Sequence, residues 1–289
     1  MADLKTKYMG LELRSPIIAG SCGLTSDVEK MVEMEKAGVG AVVLKSIFEE
    51  QINEETSGVF KAGYGMGDAY PEAEDYIKAY IRSNTIQKYV ELVRNAKSRL
   101  TIPVIASVNC FSGGEWVSFA RQLEEAGADA LELNVFILPV NEFKESAEVE
   151  NVYFEIVKSI KSQIKIPVSV KISHYFTNLS AFVDKIKAYG ANATTLFNRF
   201  YEPDININTL EMGAASVFST AAELRTTLRW TGILAGKDKR LEISASTGVH
   251  GGEAAVKLLL AGATTVQVCS VLYEKGIHVI EDIINFSGK

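Results

Sequence analysis

Cysteine is scarce in this chain: Cys22, Cys110 and Cys269 are the only three in 289 residues, and they lie far apart. An odd number at that spacing supplies neither a disulfide framework nor a Cys-x-x-Cys metal clip, and no metal site is expected. Such usage fits a reducing cytoplasm. A surplus of positive charge is missing as well. With a formal net charge of −6, the chain has no basic footprint for nucleic acid or an anionic membrane surface. Long charge-free apolar runs are also absent, and segment 1–8 carries lysines but no apolar leader stretch; a cytoplasmic protein with no membrane partner is expected. Hydrophobic residues at 47% and charged residues at 23% exclude a disordered, collagen-like or coiled-coil chain.

What is present is alternation. Apolar β-rich runs alternate with amphipathic helical stretches from end to end, the signature of a parallel sheet built from βα units. Eight units can be counted, with strands expected at 16–20, 40–45, 103–108, 130–134, 167–172, 193–198, 241–246 and 265–270. Helices are expected to begin near Ser26, Asn84, Gly114, Val149, Asn178, Ser219, Gly251 and Val271, with Ser26 and Asn178 as N-caps. Helix ends repeat one punctuation: Gly38, Gly127, Gly190 and Gly262 each follow the last turn and precede a strand. Glycine takes the left-handed conformation there at little steric cost.

Eight such units in this length predict a (β/α)8 barrel with long loops at its C-terminal face, a single domain over 1–289. The rival, an open doubly wound sheet, calls for Gly-x-Gly-x-x-Gly after the first strand. Ala19-Gly20-Ser21-Cys22-Gly23 is not that turn. Two segments are too long for simple connections, 47–83 and 199–218. Both follow strand C-termini, where loops of this length commonly serve as lids or binding loops.

On this reading polar residues gather on one rim: Ser21, Lys45, Ser46, Asn109, Asn134, Lys171, Asn198, Arg199, Ser246, Thr247 and Ser270. A lysine or asparagine ending an apolar strand needs a partner, since burial without one costs a few kcal/mol; a polar small-molecule ligand would supply it. Toward the C-terminus, Ser246-Thr247-Gly248, Gly251-Gly252 and Cys269-Ser270 form a candidate phosphate cup after strands seven and eight. Small residues let backbone N–H groups approach phosphate oxygens there.

These residues resemble the dihydroorotate dehydrogenases, flavoproteins that hold FMN in a (β/α)8 barrel. The resemblance runs through Pro16-Ile17-Ile18-Ala19-Gly20-Ser21, Val43-Leu44-Lys45-Ser46, Ala130-Leu131-Glu132-Leu133-Asn134, Val168-Ser169-Val170-Lys171-Ile172 and the 246–252 cup. It implies an FMN-dependent oxidoreductase of pyrimidine biosynthesis, transferring hydride from dihydroorotate or a related dihydropyrimidine to flavin N5. It places Ala19, Ser21, Lys45, Ser46, Asn109 and Asn134 around the cofactor, and Lys171 beside flavin N1, where a cation stabilises the reduced anion. Gly213, Ser246, Thr247, Gly248, Cys269 and Ser270 would hold the ribityl phosphate region. Asn134, Asn141 and Asn198 would bind substrate, and His250 would touch phosphate. The outer helices of such barrels commonly pair, which leaves a homodimer open.

The chain also departs from the family. Soluble members read Asn-x-x-Cys-Pro-Asn after the fourth strand, and membrane-associated members put serine at the cysteine. Here the stretch is Asn134-Val135-Phe136-Ile137-Leu138-Pro139-Val140-Asn141, with neither. Removing the substrate's C5 proton calls for a positioned base, and Ile137 and Leu138 cannot act as one. The Met-Gly-Leu-Pro-Asn element of the second loop is missing, and Arg199 stands where a small hydroxyl residue is expected. His174, Tyr175, Cys110 and Cys22 are the other conceivable bases, His174 having the best-matched ordinary pKa; with Lys45 and Lys171 it completes the candidate catalytic set. Two alternatives stay open: a flavin-binding barrel whose activity is lost or changed, and a non-redox phosphate-ester aldolase or isomerase using Lys45 or Lys171.

Overall fold

The computed structural model describes residues 3–48, 71–109, 113–199, 203–214 and 216–288. Eight parallel strands close on themselves: Ile17–Ala19, Ala41–Val43, Val104–Asn109, Ala130–Asn134, Val168–Ile172, Ala193–Leu196, Glu242–Ala245 and Thr265–Val268. Closure is read from the register, because the eighth strand pairs with the first (Val268 with Ala19) and the second with the third (Val42 with Val104). The expected (β/α)8 barrel is the observed fold. A two-residue extension, Ile47–Phe48, pairs again with the third strand.

Successive strand residues face opposite sides, and the two sides here differ in chemistry. Ile17, Val42, Val104, Ala106, Leu131, Leu133, Val168 and Val170 point outward into the main core beneath the helices. The inward set at the N-terminal end is apolar: Ile18, Ala41, Val43, Ile105, Ala130 and Ala193. Higher in the barrel the buried residues of these strands include Ser107, Glu132, Ser169, Lys171, Thr195, Ser244 and Gln267. The strands therefore read as apolar runs interrupted by single polar residues.

The repeated glycines behave as expected, with φ of +105° at Gly38, +97° at Gly127, +113° at Gly190 and +107° at Gly262. Asn178 caps its helix, Leu179–Ala188, by accepting from Ala181 N–H at 3.1 Å. The first helix, Val28–Lys36, is capped by Asp27 rather than Ser26, because residues 23–26 form a separate 3-10 turn. The helix expected from Asn84 is already formed at Pro71, where the described residues resume, and runs to Arg99. The glycine- and tyrosine-rich stretch 63–67 and Cys110 lie outside the described residues.

Two antiparallel hairpins have no counterpart in the sequence reading. One, Pro203–Asn206 with Glu211–Ala214, rises from the 199–218 segment. The other, Thr6–Tyr8 with Leu11–Leu13, closes the N-terminal end of the barrel: Tyr8 is 1% exposed and its hydroxyl donates to Ser169 Oγ at 3.2 Å. Burial of the Tyr8 phenol raises its pKa and keeps it protonated as a donor. Tyr8→Ala is expected to cost about 3–5 kcal/mol through the cavity it leaves, and Tyr8→Phe about 1 kcal/mol through the lost hydrogen bond. Urea unfolding of the two variants measures both.

Candidate active site

The strand C-termini converge on a cavity of about 380 Å³. Of the rim residues, Ser21, Lys45, Ser46, Asn134, Lys171, Asn198, Ser246, Thr247, Gly248, Cys269 and Ser270 line it together. Register explains the convergence: Asn109, Asn134, Lys171 and Thr195 lie in one cross-strand row around the barrel. Ala19 and Asn109 are buried at the ends of their strands and do not line the cavity.

The floor is charged. Glu132, 1% exposed, accepts at one oxygen from Thr195 Oγ1 at 2.9 Å and Gln267 Nε2 at 2.7 Å. Its other oxygen lies 3.9 Å from Lys171 Nζ, an ion pair too long for a hydrogen bond. Above it the Asn198 side-chain amide donates to Asn134 Oδ1. On one side a hydroxyl chain runs Ser21–Ser46–Ser107, at 3.0 and 2.7 Å. On another, the Ser219 N–H and hydroxyl donate to Ser270 Oγ at 2.9 and 3.1 Å, and Ser219 Oγ lies 3.2 Å from His250 Nε2. His250 is oriented in turn by Glu274, 3.0 Å from its Nδ1.

This donor set fits a flavin. Asn109 Oδ1 and Gln267 Oε1 are buried acceptors without a partner among the described residues, and the wall beside Gln267 offers an acceptor for a ring N–H. Gly248, at φ +81°, packs so closely that a Cβ there would fall onto the Leu224 backbone. Its N–H and the Ser219, His250 and Ser270 side chains form a small polar cup of the kind that takes one phosphate.

Three expected site residues lie elsewhere. Gly213 is exposed on the second hairpin, paired with Asp204, and is not among the residues that line the cavity, whereas Ser219 is. Asn141 is exposed beside a separate shallow recess with Ile137, Pro139 and Tyr175. His174 opens into a recess that shares Phe197, Asn198, Arg199 and Thr247 with the main cavity. Its ring packs against Tyr175 and Phe197 at centroid distances of 4.2 and 5.7 Å, and this desolvation lowers its pKa below the ordinary 6.5. The loop where the family's base would stand is apolar here: Ile137 packs against the core and its N–H is held by the Tyr153 hydroxyl at 3.3 Å, while Leu138 faces solvent.

Sequence reasoning did not single out Glu132, Gln267, Ser219 or Tyr273. Glu132 carried a signal, an acidic residue within the apolar run 130–134. Arg199 has a role no pattern announced: its guanidinium bonds Glu223 Oε2 at 2.9 Å and the carbonyls of Ser216 and Val217 at 2.8 and 3.0 Å, fixing the segment that brings Val217 and Phe218 to the cavity wall.

Comparison with known proteins agrees with the geometry. The family model described as dihydroorotate dehydrogenase matches residues 3–286. The chain is 31% identical to the dihydroorotate dehydrogenase B (NAD(+)) catalytic subunit of Thermoplasma acidophilum, over 99% of this chain and 92% of the relative. It is 27% identical to the counterpart of Thermoplasma volcanium, over 98% and 91% of the two chains. Identity to the dihydroorotate dehydrogenase A (fumarate) of Limosilactobacillus reuteri is 27%, over 92% of this chain and 86% of the relative.

Two outcomes follow from the site's local chemistry. Gly248→Ala forces a side chain into a positive-φ position against backbone and is expected to cost more than about 1 kcal/mol, read by denaturant unfolding. His174 should titrate below 6.5 by NMR. The unfolded chain then takes up that proton first, so the stability contribution present at neutral pH is lost as pH falls from the unfolded value toward the folded one.

Proposed function

Because the chain belongs to the dihydroorotate dehydrogenase family, we propose that it is an FMN-dependent oxidoreductase acting on dihydroorotate or a related dihydropyrimidine, with residues 1–289 forming one cofactor-binding barrel. The observation that carries this reading is the convergence of Lys171, Asn134, Asn198 and the Ser219–Gly248–Ser270 cup on one cavity. Bound there, FMN would supply the hydride acceptor. Ser219, Gly248, His250 and Ser270 would hold its phosphate, and Lys171 would place a positive charge beside the ring, held by Glu132 from below.

Asn134 and Asn198 act on the substrate side. Each amide offers a donor and an acceptor, and the bond between them fixes which edges face the cavity, suiting the alternating N–H and C=O groups of a dihydropyrimidine. The Arg199-held segment with Val217 and Phe218 narrows access for water. No residue of 135–140 can take the C5 proton, and His174, neutral at neutral pH, sits in the adjoining recess. Among the described residues no helix is long and apolar enough to cross a membrane.

Heat-released cofactor should weigh as FMN; FAD in the supernatant would overturn the one-phosphate reading of the cup. Anaerobic stopped-flow mixing with dihydroorotate tests the substrate. Flavin bleaching is expected, slowed roughly 100- to 10,000-fold relative to an enzyme with a positioned base. Rapid bleaching that His174→Ala abolishes would assign the base to His174, and no bleaching by any dihydropyrimidine would sink the substrate class. Lys171→Ala is expected to impair flavin reduction more than flavin retention, since the cation matters most when negative charge develops on the ring; equal loss of both would mark Lys171 as structural.

A further inference from the structure

The first and eighth barrel strands bring two cysteines together that are 247 positions apart in sequence. Val268 pairs with Ala19, so Cys269 and Gly20 emerge side by side, and Gly20 N–H donates to Val268 O at 2.9 Å. A Cβ on Gly20 would lie 2.5 Å from Cys269 Sγ. The missing side chain is what lets that sulfur lean across the strand boundary, where it donates to Ser21 O at 3.8 Å, one residue from Cys22; the two neighbouring thiols shift each other's pKa, Cys22 down and Cys269 up. Both cysteines are reduced, half-buried and part of the cavity wall.

Their surroundings are unequal. The Cys22 thiol is pulled down to about 6, first by the neighbouring Cys269 thiol and further by the Leu24 and Thr25 N–H groups and the Tyr273 hydroxyl, against the effect of its own burial. That hydroxyl accepts the Leu24 N–H at 3.1 Å, which leaves its own proton free to turn toward Cys22. The Cys269 sulfur faces Cys22, with Lys171 and Glu132 as the charged groups acting on it from the barrel interior. Donors converge on one sulfur while the other is buried as a thiol, the asymmetry that separates an attacking from a resolving cysteine.

We propose that Cys22 and Cys269 form a thiol–disulfide site on the cavity wall, with Cys22 as the nucleophile and Cys269 as the resolving thiol, and with a hydroperoxide as its oxidising substrate. The Cys22 thiolate attacks the distal peroxide oxygen, the O–O bond breaks, and the departing oxide takes a proton to leave as water or an alcohol. Cys22 is then a sulfenic acid. The Cys269 sulfur attacks Cys22 Sγ, its proton and the sulfenic hydroxyl leave as water, and the S–S bond forms. Two thiols are oxidised and one peroxide is reduced. The bond ties the first strand to the eighth at the rim, and a dithiol reductant restores both thiols. The proposal stands independently of the pyrimidine substrate.

The test uses the full chain as purified, titrated with hydrogen peroxide and mapped by mass spectrometry without reduction. Expected is the loss of two hydrogens from the intact mass and a cross-linked peptide pair carrying Cys22 and Cys269, reversed by dithiothreitol. In Cys269→Ser the reaction should stop at a sulfenic acid on Cys22 that dimedone traps; in Cys22→Ser neither product should form. Iodoacetamide alkylation of Cys22 should have its midpoint near pH 6. Its rate at that pH should fall about twofold in Cys269→Ser, a roughly fivefold loss of thiolate for a one-unit rise being partly offset by higher nucleophilicity. A disulfide that includes Cys110, over-oxidation of Cys22 beside an intact Cys269 thiol, or no change on peroxide treatment would each overturn the proposal. The wild-type map decides this even if a serine variant fails to fold.

Discussion

The arrangement of this barrel turns on one buried charge, the Glu132 carboxylate. At 1% exposure it has no solvent to neutralise it, and a carboxylate taken out of water without partners is costly. Its partners come from three other strands: Thr195, Gln267 and Lys171. Each must occupy an inward position, so the polar interruptions of otherwise apolar strands are a consequence of that carboxylate. Removing one member of a buried ion pair leaves the other uncompensated, at about 3–5 kcal/mol. Glu132 and Lys171 are therefore required together, and the cation at the cavity floor is held by the same interaction that keeps the interior neutral.

The polar layer also sets the barrel's polarity end to end. Below it, Ser169 accepts from Tyr8 and also lies 3.0 Å from Thr195 Oγ1, so the N-terminal hairpin is joined to the Glu132 cluster through two hydroxyls. Above it, the next inward position after Glu132 is Asn134, which receives Asn198. Plug, ion pair and cavity wall form one hydrogen-bonded stack, and its precision derives from strands whose backbone positions are fixed by pairing on both sides.

The barrel was legible because its signals are local. An apolar run, a capped helix and a glycine at the helix end recur along the chain, and each constrains backbone conformation where it stands. The N-terminal hairpin was not legible: its strands have three residues each, and its turn places Met9 and Gly10 both at positive φ, +53° and +80°, although methionine carries no turn preference. The site was readable where it sits on strand ends, as at Lys171 and Asn134, and unreadable where it depends on pairing across sequence. Gln267 reaches Glu132 over 135 positions and Ser219 reaches Ser270 over 51. Gly213 was misplaced because glycine alone does not distinguish a phosphate turn from an exposed hairpin, and here the local pairing with Asp204 prevails.

The same division explains how a barrel of this family can keep its cofactor side and change its substrate side. Cavity residues on strand ends are bound into the register, so altering one disturbs pairing and core together. Loop 135–141 is attached at Ile137, whose N–H is held by the Tyr153 hydroxyl and whose side chain packs on the core. Tyr153 is itself fixed edge-on against Phe176 and Phe182 at 5.6 and 5.2 Å, and its burial pushes the phenol up to about 12, so it remains a neutral partner across the physiological range. An isoleucine in that loop gains core contacts at a position where a proton acceptor would have to face the cavity. Packing and proton transfer make opposite demands on such a loop residue, and in this chain the loop satisfies packing. On the proposed function a proton acceptor would stand outside the loop, and His174, packed against Phe197 and Tyr175, has an ordinary pKa that suits that task.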